Sequence, residues 1–439
     1  MDAIAVVASV AAFAAVRGVS QAQPALVIRP AVAMAVDPDG DGVFDQTAGL
    51  EHPFVLAGNL QPAETVFVRE YPGRNDAMLA ALRDITAQAG VELHVIPGDA
   101  PYPANHVWVQ DAVEFGHAYT GEPDAMHVAM PSNRNRGLDR FAEHRLFGPD
   151  FGVISVGSYR EDYAKGEGGV SWIDWYGNLE VSPPTQRHPF GRALYGYDPA
   201  TGAQLNPEVV DFLAAQGVQP PMPVDVGWLT IKHVDEVLSF IPAEEGGRGF
   251  KVMVPDPGAA IDLLRGLAHE GYADTPMLSS YEEGVTVASL LADEALMDHN
   301  RDLQAQRLEP IYANLREELG LDEEHVVRIP LLFTPGGGAK VPNMVNALVI
   351  NGHVVMADPD GPEIDGEDAF QKAVREKLAD LPVTVHFVDD QLYQRWSGNV
   401  HCATNTIREP IVPWGMPPEE TAPEETSSEE TAPGASAEH

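Results

Sequence analysis

A chain of 439 residues, 44% hydrophobic and 21% charged, has the makeup of an ordinary soluble globule with enough length to bury a large core. Its formal charge of −39, of which seven Glu in residues 416–439 supply −7, repels nucleic acid and anionic membranes and favours cationic ligands. The single cysteine excludes an internal disulfide and leaves packing, metal binding or nucleophilic chemistry for Cys402.

Residues 3–16 are apolar, too few for a comfortable membrane span but long enough for the core of a signal peptide cleaved after Ala22. Asp2 in place of a basic leader and Arg17 before the cleavage point argue for a mis-called start or a disordered leader instead. Residues 25–54 form a short acidic stub. Within it Asp37, Asp39, Asp41 and Asp45 fall at positions 1, 3, 5 and 9 of a calcium loop, with Gly42 at the sharp turn. Position 12 is Ala48 rather than the bidentate Glu, so a weak calcium site and an acidic solvated turn both stay open.

From about residue 60 apolar strands alternate with capped helices. The first helix is expected from Asp76 to Gly90, with Met78, Leu79, Leu82 and Ile85 on its buried face. The second and third carry a cap, a proline and a closing glycine: Asn206, Pro207 and Gly217, then Asp256, Pro257 and Gly271. A fourth runs from about Asn300 to Gly320 and a fifth from about Asp365 to Leu381. Five helices beside β-rich segments suggest a fivefold internal repeat, with an open α/β sheet as the alternative. Gly336-Gly337-Gly338 lacks the Lys-Ser/Thr ending of a phosphate loop. Residues 416–439 are Pro, Glu, Thr and Ser repeats, expected to be disordered.

Three stretches carry chemistry: Trp108-Val109-Gln110-Asp111, His233-Val234-Asp235 and Gly398-Asn399-Val400-His401-Cys402. The neighbours of Cys402 are polar, which favours a reactive thiol over a buried apolar one. A strand over Leu229–Leu238 would put His233 and Asp235 on one face, as an ion pair or as a proton shuttle beside a cation-binding anion. A strand over His106–Gly116 would put Trp108, Gln110 and Glu114 on one face and Asp111 on the other, one face for a metal and one for substrate. Asp111 paired with a nearby Arg is the default alternative. Together these groups suit a guanidinium: Asp111 and Asp235 receive its donors, Cys402 attacks its carbon, and His233 protonates the departing nitrogen.

The chain resembles the catalytic domain of the protein-arginine deiminases over residues 55–415. The resemblance rests on Trp108-Val109-Gln110-Asp111, Asn133 to Leu138, Gly148 to Gly152, Gly177 to Pro184, His233-Val234-Asp235-Glu236, Pro342 to Asn346 and Val400-His401-Cys402. It implies a single catalytic domain with the pentein fold, an α/β-propeller of five ββαβ blades with pseudo-fivefold symmetry. It also implies calcium-dependent conversion of peptidyl-arginine to peptidyl-citrulline and ammonia through an amidino-cysteine intermediate. By position Asp111, His233, Asp235 and Cys402 are then catalytic, Trp108 packs on the substrate stem, and Arg134 and Arg136 reach the peptide backbone. Calcium would take Gln110, Glu114, Glu180 and the main-chain oxygens of Tyr176 and Leu179. A second calcium site is expected to be lost, because Ala112 and Pro131 stand where acidic residues should support Ser132 and Asn135. The family's two immunoglobulin-like domains have no evident counterpart ahead of residue 55, and an arginine found in some members falls at Trp396. Arginine-containing proteins are the implied partners, with no nucleic acid and no stable membrane span, and a cytoplasmic location is the family default. The alternatives are a pentein acting on free arginine or agmatine, and a catalytically silent calcium-binding protein.

Overall fold

A computed structural model describes residues 33–36, 46–49, 53–99, 101–103, 105–119, 125–134, 136–148, 151–160, 172–243 and 249–414. The candidate calcium loop Asp37 to Asp45, the apolar leader, the acidic tail and Asn135 lie outside these residues. Strands Ala33–Val36 and Gln46–Gly49 pair antiparallel, and the first of them joins Phe151–Val153.

Apart from Phe54–Leu56, which pairs antiparallel with Val113–Tyr119, and the two-stranded ribbon of Glu363–Ile364 and Glu367–Asp368, the remaining strands fall into five units of one pattern: an antiparallel pair, then a crossover to a third strand parallel to the second. In the first unit Thr404–Arg408, near the C-terminus, pairs antiparallel with Ala63–Arg69, which is followed by helix α1 (Asp76–Ala89) and the parallel strand Glu92–Ile96. The second joins Val113–Tyr119, Ala125–Pro131 and Phe151–Val153, with only a 3₁₀ turn and the short α2 (Phe141–Arg145) in its crossover. The third joins Leu179–Val181, Ala193–Tyr197 and Met222–Asp225 across α3 (Pro207–Gln216). The fourth joins Ser239–Pro242, Phe250–Asp256 and Val326–Pro330. Its crossover holds α4 (Pro257–Leu267), α5 (Val287–Leu291), α6 (Glu294–Leu303) and α7 (Glu309–Leu319). The fifth joins Leu348–Ile350, His353–Ala357 and Thr384–Val388 across α8 (Ala369–Leu378). This is the five-unit ββαβ arrangement of the pentein fold.

The count of five expected from the sequence is right, but its assignment differs. The third and fourth expected helices belong to one long crossover, while the second unit's helix is too short to leave a periodic signal. The fourth helix also starts earlier, at Glu294, and reaches α7 through a π-turn at Gln304–Leu308. Helix caps are the best-read features: Asn206 Oδ1 accepts from Glu208 N–H, Asp256 Oδ1 accepts from Ala259 N–H, and Gly90 and Gly217 close their helices with φ of 69° and 73°. On α1 the expected face, Met78, Leu79, Leu82 and Ile85, is buried, each side chain contributing about 1.5–3 kcal/mol by leaving water.

Each first strand of a unit is preceded by a buried turn. These are Gln110–Ala112, Tyr176–Asn178, Val234–Glu236, residues 343–346 and Val400–Ala403. They are stitched to one another. Gly177 N–H donates to Asp111 Oδ1 (3.2 Å), Asn343 Nδ2 to Glu236 O (2.9 Å), Asn346 Nδ2 to Asp235 O (3.3 Å), and His401 N–H to Asn346 O (3.1 Å).

Arg408 closes the ring where the chain's end meets its beginning. It is 3% exposed and donates to Asn59 O, Gln61 O and Val349 O at 3.0, 2.9 and 2.6 Å. Replacing Arg408 by Met strips the donors from all three carbonyls, and we expect a loss of roughly 3–5 kcal/mol in urea unfolding at pH 7. A loss below about 1 kcal/mol would show that the clamp is not needed.

Candidate active site

The Leu229–Leu238 stretch is not a strand. Lys232 turns left-handed at φ 66°, Val234–Glu236 form a 3₁₀ turn, and the strand begins only at Ser239. His233 and Asp235 therefore do not share a strand face. Likewise Gln110–Ala112 is a 3₁₀ turn ahead of Val113–Tyr119. Gln110 and Glu114 still meet, with Gln110 Nε2 donating to Glu114 Oε1 at 2.6 Å. Trp108, however, joins Asp111 in a different cavity, because a turn of period near three replaces the assumed period of two.

That cavity, about 260 Å³, is lined by Trp108, Asp111, Arg136, His233 and Cys402, with Trp172, Trp175 and Trp396 completing four of the chain's six tryptophans. Gly177 marks its floor. A β-carbon there would lie 2.5 Å from His233 Nδ1, 2.9 Å from Asp111 Oδ1 and 3.1 Å from Asp235 Oδ2. Only a residue without a side chain lets the three groups converge. Gly398 does the same for the opposite wall, where a β-carbon would be 2.6 Å from the Trp108 ring and 3.4 Å from Cys402 Cβ.

Asp235 sits behind the cavity, 1% exposed, and links three groups. Its Oδ2 accepts from Cys402 Sγ at 3.3 Å and from His401 Nδ1 at 3.0 Å. Asn346 Nδ2 donates to Cys402 Sγ at 3.2 Å while Asn346 Oδ1 accepts from the Cys402 N–H. Burial pushes the thiol well above its ordinary pKa, and the charges of Asp235 and Asp111 push it further. Asp111 is raised by burial, opposed by His233 (Nδ1 to Oδ1, 3.5 Å) and Arg134 (3.7 Å). His233 Nε2 meets Trp172 O at 2.7 Å, which fixes the ring.

Arg136 reaches the cavity and stacks on Trp175 at 4.5 Å. Arg134 does not: its side chain is paired with Asp139, donates to Trp108 O and is 2% exposed. Asp139, in the turn after Arg136, captures both the Arg134 guanidinium and the Arg136 N–H. Of the two arginines expected to reach a peptide, Arg136 lines the cavity and Arg134 does not.

A second, smaller cavity of about 30 Å³ lies beyond Asp235, lined by Gln110, Glu114, Leu179, Glu180, His401 and Arg408. Tyr176 is not in that lining, and its carbonyl accepts from the Leu179 N–H. Burial raises Glu114 well above the carboxylate range, with Glu180 and Asp235 adding to it. Glu180 is pushed up to about 7 by burial and Asp235 against the pull of His401. Two buried carboxylates that repel each other across a single-atom-sized hollow, with an amide oxygen beside them, fit a hard divalent cation. Calcium is the group this donor set suits. At the place of the second site, which the sequence reading expected to be lost, Ala112 and Ser132 are buried and no carboxylate stands at 112 or 131.

Two side chains escaped the sequence reading. His401 bridges the two cavities, its Nδ1 on Asp235 and its Nε2 3.3 Å from Glu180. Burial lowers its pKa, but these carboxylates outweigh burial and raise it overall. Its position beside the lone cysteine was the available signal. Asn346, within the quoted Pro342 to Asn346 motif, had no signal beyond its residue type.

The sequence profile of the protein-arginine deiminase family matches residues 45–415. Protein-arginine deiminase type-1 of Mus musculus is 34% identical over 379 residues, covering 82% of this chain and 55% of that protein. The Homo sapiens type-1 protein is 33% identical over 390 residues, covering 84% and 56%. The chain thus spans about half the length of the curated relatives it matches. Among solved structures, a C. jejuni agmatine deiminase aligns with 82% of this chain and 98% of its own at 9% identity and a TM-score of 0.45. With its profile matched over most of its length and its relatives a third identical, the chain belongs to the protein-arginine deiminase family.

Proposed function

We propose that this protein is a calcium-dependent protein-arginine deiminase, hydrolysing peptidyl-arginine to peptidyl-citrulline and ammonia. The observation that carries the reading is the convergence at Gly177 of His233, Asp111 and Asp235, with Cys402 bonded to Asp235 and sharing one tryptophan-lined cavity with Asp111 and His233. A planar cation entering beside Trp108 would meet Asp111 and Asp235, each able to take two of its N–H donors. As the cation binds, Cys402 gives its proton to solvent water, which returns it when the thiolate departs, and Sγ bonds to the guanidinium carbon. The C–N bond to a terminal nitrogen breaks, and His233 supplies the proton with which ammonia leaves. His233 then takes a proton from water as its oxygen attacks the amidino carbon, and the thiolate departs to leave the ureido group of citrulline. Gln110, Glu114, Glu180 and the carbonyl oxygen of Leu179 would hold calcium, which when bound supplies the positive charge these carboxylates lack. Membership of the family and the donor set of the small cavity support that part.

The second reading, a hydrolase of free arginine or agmatine, is favoured by one observation, the burial of Arg134, which leaves Arg136 alone at the mouth. The compartment and the boundaries of a single catalytic domain over residues 55–415, with leader, stub and tail around it, belong to the same proposal. Among the described residues no helix is long and apolar enough to cross a membrane.

Ammonia release from a blocked arginine peptide should fall at least about 1000-fold in Cys402→Ser and about 100-fold or more in Gly177→Ala, whose methyl group occupies the point of convergence. Unchanged turnover in either variant contradicts the site. Arg136→Ala should raise KM for the peptide about tenfold while barely affecting free arginine. Equal kcat/KM for free arginine and peptide in the unaltered protein would move the assignment to the second reading.

The raised carboxyl groups also set a pH dependence. Glu180 holds its proton up to about pH 7 in the metal-free fold but only to about 4.5 when unfolded, so its contribution to stability is full below the lower value and lost as pH rises through the upper one. Calcium competes with those protons. The rise in Tm on adding calcium should be larger at pH 8 than at pH 6, and a calcium effect that is equal at both, or absent, would remove Glu114 and Glu180 as its ligands.

A further inference from the structure

The loop that delivers His233 contains a conformation its residue does not favour. Lys232, immediately before His233, has φ 66°, a left-handed backbone that strains a residue bearing a β-carbon. Ile231 and His233 line the main cavity, while the side chain of Lys232 runs the other way. Its Nζ donates to Asp198 Oδ2 at 2.6 Å and to Gly227 O at 3.2 Å.

Asp198 is a fixed anchor. It is 3% exposed and ends the strand Ala193–Tyr197 in a tight turn, its N–H donating to Ala203 O, its carbonyl accepting from Gly202 N–H and its Oδ1 accepting from Ala200 N–H. Gly227 presses against it, since a β-carbon there would be 2.5 Å from Asp198 Oδ1. Burial pushes the Asp198 carboxyl up, but the bonds from Lys232, Thr201 and Ala200 outweigh this and hold it below its usual range. The other flank of the loop is pinned where Thr230 N–H donates to Gly337 O at 3.2 Å. These two supports hold the backbone just ahead of His233 from both sides, while the His233 N–H donates to Glu236 Oε1 at 3.4 Å and its ring meets Trp172 O.

We propose that Lys232 and Asp198 form a latch that holds the left-handed turn and so aims His233 at the substrate cavity. The pair are positioning residues, acting through His233, and the kinetic part of the proposal rests on the deiminase reading. A relaxed Lys232 would return to an extended backbone and carry the imidazole away from Asp111 and from Trp172 O. Glycine adopts the same φ without strain, so it replaces the latch by a different physical route.

The test is a cycle of Asp198→Asn, Lys232→Ala, Lys232→Gly and the Asp198→Asn/Lys232→Gly double variant. Asp198→Asn keeps the turn's acceptor but removes the charge that holds Lys232. On an arginine peptide, kcat is expected to fall about tenfold in Asp198→Asn and at least as far in Lys232→Ala, with KM changed less than about twofold. The double variant should recover kcat to within about threefold of the unaltered protein. The urea midpoint, read in parallel, should fall in Asp198→Asn and rise again in the double variant. Iodoacetamide labelling of Cys402 should keep its rate throughout, because the latch does not touch the nucleophile. A Lys232→Ala variant with unaltered kcat overturns the proposal, as does a double variant no better than Asp198→Asn in both kcat and midpoint. If the unaltered protein releases no ammonia from any arginine compound, the deiminase reading fails, and the recovery of the urea midpoint still decides the latch.

Discussion

Burying several carboxylates in one place is the constraint on which the rest of the structure depends. Asp111, Glu114, Glu180, Asp235 and Glu236 are each at most 7% exposed, and burial raises the pKa of Asp111, Glu114, Glu180 and Glu236. A cluster of that kind is tolerable only if positive charge is arranged around it. Arg134, His401 and Arg408 oppose it from within the protein. On the open side, toward the larger cavity, Arg136 lies flat on Trp175 and the rest of the lining carries no lysine or arginine. The buried acids of the centre thus outnumber the cations around them, with the small hollow on one side and the larger cavity on the other.

The fold makes such a cluster possible by delivering one buried turn per unit to a common centre. Asp111, Gly177, Asp235, Asn346 and Cys402 occupy corresponding places, each in the turn ahead of its unit's first strand. Turn residues have free backbone N–H and C=O groups, and asparagine is well suited to take them up. Asn343, Asn346 and Asn399 do so here, tying adjacent turns together. Repetition supplies five such positions, and divergence fills them differently: two acids, a thiol, an amide, and a glycine whose value is the space it leaves.

How much of this could be read from the chain depended on whether the signal was local. Caps and apolar faces were legible because Asn206-Pro207 and Asp256-Pro257 specify a helix start by themselves. The three chemical stretches were legible because the lone cysteine and the His-x-Asp spacing stand out against their surroundings. The conformation of those stretches was misread, since apolar residues in a short run fit a strand as well as a buried 3₁₀ turn. That error moved Trp108 to the wrong face. Gly336-Gly337-Gly338 lacks a phosphate-loop ending, and its use was invisible: a β-carbon on Gly337 would stand 2.3 Å from Trp228 O, so the glycine lets one loop lie on another. The burial of Arg134 was likewise unreadable, because it depends on Asp139 reaching back across a turn whose shape no periodicity announces.

The same deficit of positive charge bears on the nucleophile. With Asp111 and Asp235 both facing it, Cys402 is held as a neutral thiol that donates to Asp235. A free thiolate there would add a third negative charge to a dry centre. On the deiminase reading the arriving guanidinium satisfies both carboxylates at once, and the main electrostatic obstacle to ionising the sulfur disappears at the moment its target is in place. On that reading the reactivity of Cys402 is a property of the loaded site rather than of the cysteine alone.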